Sequence, residues 1–187
     1  CINVSSGPPD WNTVAYWYKT SQNGSFEIMG LPIGERRIRT ARNCSGLNQA
    51  YLDEWYALGG STRFENLATP VIITAGQVVN GIDFQLDLGG SISGKVVQQD
   101  GTTPIVGARV WLSDQNHQYA GDGFSQADGT YQIAGIPSGL YYVVVSASGY
   151  GGVYYPNGYD DSLAQMVAVS APNNTPSINF QLAPEGT

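Results

Sequence analysis

Two stretches of this chain repeat one another, and the repetition limits the architecture before any residue is given a role. Residues 20–34 read TSQNGSFEIMGLPIG and residues 125–139 read SQADGTYQIAGIPSG. Farther along, VIITAGQVVNGIDFQL at 71–86 returns as VAVSAPNNTPSINFQL at 167–182. A chain of 187 residues carrying two such copies is read as two domains of about 90–100 residues each. The junction falls near Leu88-Gly89-Gly90, giving domains 1–88 and 89–187.

Helical periodicity is almost absent. Short runs alternate apolar and polar residues: Phe26/Ile28, Ile82/Phe84/Leu86, Ile92/Val96, Val110/Leu112, Tyr131/Ile133, Tyr141/Val143/Val145 and Ile178/Phe180/Leu182. Each is bounded by Gly, Pro, Asn or Asp, the pattern of half-buried strands in an antiparallel sandwich. Asn23-Gly24 and Asp128-Gly129 supply the positive φ that tight hairpins need. Pro32 and Pro137, at matching positions, cannot donate to a ladder and so end the strands that precede them.

Charge narrows the function classes. Charged residues make up 12% of the chain, against ~25% in an ordinary globular protein. A surface that is polar without being charged suits an extracellular or cell-surface β protein. The net charge is −7, with no basic run longer than Arg36-Arg37, so the cationic footprint of a nucleic-acid binder is missing. No apolar stretch approaches the ~20 residues of a membrane-spanning helix. The sequence is read as a piece processed or excised from something longer.

The succession GGSISGKVV, TPIVGARVWL and QADGTYQIAGIPSGLYYVVVSASGY resembles the carboxypeptidase regulatory-like family of bacterial and archaeal surface proteins. Its domains are transthyretin-like, Ig-like Greek-key sandwiches, related in shape to CnaB domains. The resemblance implies stalk, spacer or adhesion roles, and it covers nearly all of 89–187. In 1–88 it covers NGSFEIMGLPIG and the final strand. Domain two opens on Gly90–Gly107, a strand and its turn, for which domain one has no counterpart. Three explanations stay open: a window on a longer tandem array, a strand added by a neighbouring subunit, or a domain that manages with fewer strands. The resemblance also implies a Cys1–Cys44 disulfide, because some bacterial members place one cysteine at each of these sites. Two free buried thiols, or a lipidated Cys1, are the competing readings. Lys95 and Asn179 suggest a CnaB-type isopeptide bond, but the alternation points both outward.

Catalytic chemistry has little to stand on. His117 is the sole histidine, in the loop SDQNHQYAGDG, with no nucleophile motif nearby. Asp122, Asp128 and Asp160-Asp161 could offer oxygens to calcium, but turn chemistry accounts for them better. No cofactor or metal is expected. Trp17, Trp55, Tyr56, Tyr154 and Tyr155 are candidate rings for protein contact or for stacking on sugars, with core packing as the plainer role.

The expectation is therefore all-β: two tandem Greek-key sandwiches, the first lacking its own first strand. The expected function is a non-enzymatic extracellular module of an array or cell-surface fibre. Its partners would be copies of itself or neighbouring domains, and a strand from a neighbouring chain would complete the first sandwich. The alternative is a carbohydrate-binding accessory module of a larger secreted enzyme, with a glycan as ligand.

Overall fold

The computed structural model describes residues 1–5, 14–41 and 50–185, and of residues 14–17 the backbone only. The described residues are β-strands joined by turns, with two single-turn 3-10 helices, Glu65–Leu67 and Asp161–Leu163. The chain divides into two compact units, Cys1–Asp87 and Leu88–Thr187.

Unit 1 contains β1 (Ile2–Ser5), β2 (Val14–Tyr18), β3 (Gly34–Thr40), β4 (Trp55–Ala57), β5 (Gly60–Thr62) and β6 (Val71–Ile73). They form one antiparallel sheet of order β2-β1-β3-β4-β5, with β6 on the leading half of β3. Register follows the apolar positions: Val4 lies opposite Ile38, and both are buried. Ile2, Val4, Ile38, Tyr56 and Val71 make the core, against which Phe26, Ile28, Ile82 and Phe84 pack while only partly buried. From residue 50 the chain leads into β4, where Trp55 pairs with Arg39 and Thr62 across its two neighbours.

Unit 2 contains β7 (Gly90–Gln98), β8 (Arg109–Ser113), β9 (Tyr119–Phe124), β10 (Thr130–Ile136), β11 (Gly139–Ala147), β12 (Tyr150–Tyr154), β13 (Val167–Val169), β14 (Asn174–Thr175) and β15 (Phe180–Leu182). One sheet runs β10-β7-β14, with β15 also on β7. The other runs β12-β11-β8-β9, with β13 on β11. Inward-facing Ile92, Val96, Val110, Leu112, Ile133, Val143 and Phe180 meet in one buried core, which makes this unit a β-sandwich.

Strand β7 is the hub of its sheet. It runs antiparallel to β10, with Tyr131 opposite Gly94 and Ile133 opposite Ile92. It runs parallel to β14 and β15, with Phe180 opposite Val96. Gly94 is required by close approach. A Cβ there would stand 1.9 Å from the Ile178 carbonyl oxygen and 3.1 Å from the Tyr131 ring. The Tyr131 hydroxyl donates to that same carbonyl at 2.7 Å.

Gly94→Ala is expected to lower the stability of unit 2 by about 1–3 kcal/mol, the usual cost of overpacking, read as a fall in its melting temperature. An unchanged transition would mean that β7 shifts freely and is not held where the structure has it.

Candidate functional site

The site is best built by comparing the two units where their sequences repeat. Tyr131 on β10 and Phe180 on β15 flank β7, with ring centroids 6.5 Å apart and planes at 42°. Their sequence counterparts, Phe26 and Phe84, stand 6.4 Å apart at 49°. A third ring completes each group. Tyr155 meets Phe180 edge-on at 6.0 Å and 78°, and Tyr56 meets Phe84 at 6.3 Å and 70°. The side chains that border β7 in unit 2 are thus arrayed in nearly the same way in unit 1.

The backbones differ. Phe26/Ile28 and Ile82/Phe84/Leu86 alternate as strands should, yet neither segment is a strand. That corrects the expectation of strands there. The physical reason is the ladder. Among the described residues, no backbone amide of 26–31 or 78–86 donates a hydrogen bond to another residue. In unit 2 the equivalent segments pair with β7.

Both segments are fixed at their ends. The first begins in a turn, where Ser21 N–H donates to the Ser25 carbonyl at 2.8 Å and Gly24 N–H to the Ser21 carbonyl at 3.0 Å. It ends where the Arg36 guanidinium donates from Nη2 to the Pro32 carbonyl at 3.1 Å. The second is held near its far end. Leu52 N–H donates to the Asp87 carbonyl at 2.9 Å, and Ser61 Oγ to the Gln85 carbonyl at 2.8 Å. Glu54, buried, accepts from Ser61 Oγ and from Asp87 N–H. The result is two pinned, extended, half-apolar segments with unspent main-chain donors between their anchors.

The expected site residues are placed as follows. Cys1 leads into β1 and is half-buried; Cys44 lies outside the described residues, so no disulfide is described. The side chain of Trp17 is also outside them. Trp55 on β4 is half-buried, with the Arg39 guanidinium 5.3 Å from its ring centroid. Tyr56 is buried in the core of unit 1. Tyr154 is half-buried at the end of β12, and Tyr155 packs on the core of unit 2. Among the described residues the exposed aromatics are Tyr51, Phe64, Tyr119, Phe124 and Tyr159, which the repeat did not single out.

The polar candidates are tied into turns. Asp128 accepts from Thr130, and Asp160 from Ser162. Asp122 accepts from Tyr119 Oη at 2.6 Å and Arg109 Nε at 2.7 Å. Burial opposes ionisation of Asp122, but these two donors outweigh it and hold the carboxyl below its usual range. Burial pushes the Tyr131 phenol well up, with a smaller push from Tyr155. His117 stacks on Tyr142 at 5.1 Å, with Nε2 3.8 Å from Asp161. Among the described residues, no group of three or more His, Cys, Asp or Glu is placed to hold a metal ion. No helix among them is long and apolar enough to cross a membrane.

Residues 91–183 match the family model of the carboxypeptidase regulatory-like domain. The match opens one residue into β7, so the carboxypeptidase regulatory-like domain includes that strand. No curated protein matches the chain. Similar solved structures include a type II cohesin–X-dockerin complex from Acetivibrio cellulolyticus, with 18% identity over 51% of this chain and a TM-score of 0.36. They also include a minor pilin of Streptococcus agalactiae, with 15% identity, a TM-score of 0.39, and coverage of 100% of this chain and 83% of the pilin. The major pilin subunit of Bacillus cereus has 14% identity and a TM-score of 0.38, with 83% of this chain and 41% of the pilin covered. The chain spans 58% and 57% of the length of two cohesin–dockerin structures. At these TM-scores the likenesses assign this chain neither a partner nor an assembly.

One turn gives a pH test. Hydrogen bonds from the Thr103 hydroxyl, then from the Thr103 and Thr102 amides, lower the Asp100 carboxyl from 3.8 to about 2. A carboxyl lowered on folding stabilises above its unfolded value and loses that contribution as pH falls through its folded one. The Asp100 turn should therefore weaken between pH 3.8 and about 2. Carbon-detected NMR titration should place the Asp100 midpoint near the lower value and, in Thr103→Val, nearer the upper. A wild-type midpoint at the upper value refutes this.

Proposed function

We propose that this chain is a non-enzymatic structural module of a secreted or cell-surface assembly. It is composed of two β-sandwich modules, 1–88 and 89–187, and its partners are further polypeptides of β structure. One observation carries the reading. The feature of unit 1 left over after its fold is accounted for is a pair of main-chain edges with apolar inner faces, not a cluster of reactive side chains. Edges of that kind recognise another strand, through main-chain hydrogen bonds and alternate side chains. The family matched by 91–183 fits that role, although a fold by itself does not fix function.

The rings weighed for sugar stacking support the same reading. Tyr56 and Tyr155 meet Phe84 and Phe180 edge-on, and Arg39 lies over the Trp55 ring. Tyr155→Ala should destabilise unit 2 by roughly 3 kcal/mol, as aromatic truncation in a core does, measured by denaturant unfolding. The wild-type chain should stay in solution when mixed with insoluble cellulose, chitin or xylan, and Trp55→Ala should behave the same way. Depletion by a polysaccharide, abolished in folded Trp55→Ala, would replace the structural reading with a carbohydrate-binding one.

A further inference from the structure

We propose that Asn80 is a site of spontaneous covalent modification. The Gly81 amide nitrogen closes on the Asn80 side chain, expels ammonia and leaves a succinimide that water opens to aspartate or isoaspartate. The proposal goes beyond the structural reading above and is independent of it. The chain contains three Asn-Gly pairs: Asn23-Gly24, Asn80-Gly81 and Asn157-Gly158. Glycine after asparagine favours this chemistry, because no Cβ keeps its nitrogen from the neighbouring carboxamide carbon. By sequence the three pairs are equivalent; the fold separates them.

Two of the pairs are held closed. Gly24 N–H donates to the Ser21 carbonyl at 3.0 Å. Asn23 Oδ1 accepts from the Ser25 amide at 3.0 Å and from the Ser21 hydroxyl. Gly158 is buried, and its N–H donates to the Tyr154 carbonyl at 2.8 Å. Its surroundings are also filled, since a Cβ on Gly158 would stand 3.0 Å from the Leu163 Cβ. A nitrogen whose hydrogen is committed in this way reacts only after the turn opens locally. Asn80 and Gly81, by contrast, are both exposed. Among the described residues neither the Gly81 N–H nor the Asn80 side chain makes a hydrogen bond. Gly81 has φ of +77°, and apart from its chain neighbours no atom comes within 4 Å of where a Cβ would be. The ring therefore has room to close.

A strand laid beside this segment does not change the assignment. Unit 2 has such a strand, with Pro176 and Ser177 in the places of Asn80 and Gly81. There β7 takes up the next amide along, Ile178 N–H donating to the Ser93 carbonyl at 3.1 Å. Ser177, also at positive φ, stays exposed, and among the described residues its N–H donates to none. The Gly81 amide is left open on the same terms, whether a strand beside it comes from this chain, a second copy or another polypeptide. The reaction balances without oxidant or reductant. The Gly81 N–H proton passes to base, the nitrogen bonds to Asn80 Cγ, and the carboxamide nitrogen takes up a proton and leaves as ammonia. Water that breaks the new Cγ–N bond gives aspartate. Water that breaks the original peptide C–N bond gives isoaspartate, which lengthens the main chain by a methylene just ahead of Ile82 and Phe84.

The test incubates the full chain, folded and in concentrated urea, in mildly alkaline buffer made with heavy-oxygen water. Samples are digested with pepsin in acid, which stops the reaction, and the label at each asparagine is followed by peptide mass spectrometry. In the folded chain Asn80 should take up label about tenfold or more faster than Asn23 and Asn157, the margin expected when the other two must first open a hydrogen-bonded turn. In urea the three rates should converge. Fragmentation that separates the isomers should find isoaspartate beside aspartate at position 80. Labelling of Asn80 no faster than that of Asn23 or Asn157 in the folded chain overturns the proposal. So does an undiminished lead of Asn80 in urea, because the flanking sequence and not the fold would then set the rate. Aspartate with no isoaspartate also overturns it, since direct hydrolysis of the carboxamide never passes through the ring.

Discussion

The structure depends on backbone amides finding acceptors along a central strand. Every buried N–H and C=O taken from water needs a partner, because the cost of an orphan is comparable to a lost hydrogen bond. In unit 2, β7 meets this demand on both flanks: β10 on one side, β14 and β15 on the other. Its side chains then seal the core with Ile92 and Val96. Unit 1 draws its order from the opposite layer, where β1 and β3 are paired and buried. Its bordering segments hold their places through end anchors such as Arg36 and Glu54.

The consequence, among the described residues, is a difference in burial. Phe26, Ile28, Ile82 and Phe84 are half-buried, whereas Tyr131, Ile133, Ile178 and Phe180 are buried. Full burial of a large apolar side chain is worth about 1.5–3 kcal/mol, so each half-covered side chain forgoes roughly half of that. A domain of this size has a net stability of only about 5–15 kcal/mol. The four together are therefore a sizeable share of what unit 1 could gain from a covering strand.

Much of this was legible in the residues, for reasons that can be named. Repeated turn chemistry located the turns, although neither Asn23-Gly24 nor Asp128-Gly129 joins two paired strands: Gly24 and Gly129 have φ of +84° and +78°, and Gly30 and Gly135 have +72° and +69°. Alternation identified the inner faces correctly in both units. It misread 26–28 and 82–86 as strands because alternation reports which side of a segment is apolar, while a strand is a relation to a partner. Gly94 was opaque for a related reason. Within a strand pattern a glycine reads as a weakness, and only the fold shows the Ile178 carbonyl and Tyr131 ring that exclude a side chain. The pair Gly81 and Ser177 was also silent in sequence. Both have positive φ, +77° and +66°, yet only one of them is a glycine.

The rim residues indicate how the two units came to differ in use. If unit 1 were simply a weakened copy of unit 2, its edge would be expected to carry the charges, prolines or bulges that blunt an unpaired strand. Besides Glu27, Asp83 and Pro32 it carries the exposed apolar residues Met29, Ile33, Val78 and Val79. Glu27 and Asp83 are the charges within the two segments, and both are exposed and alternate with the inward rings. They therefore lie on the outer face and leave the inner one apolar. Two like charges on the outer face would repel a third placed between them and favour a cation. Lys95, on the outer face of β7 two residues before Val97, shows where such a cation would sit. Edge hydrogen bonding, apolar inner face and acidic outer face all select the same kind of strand, and a surface protected against pairing would have had to give up at least one of them.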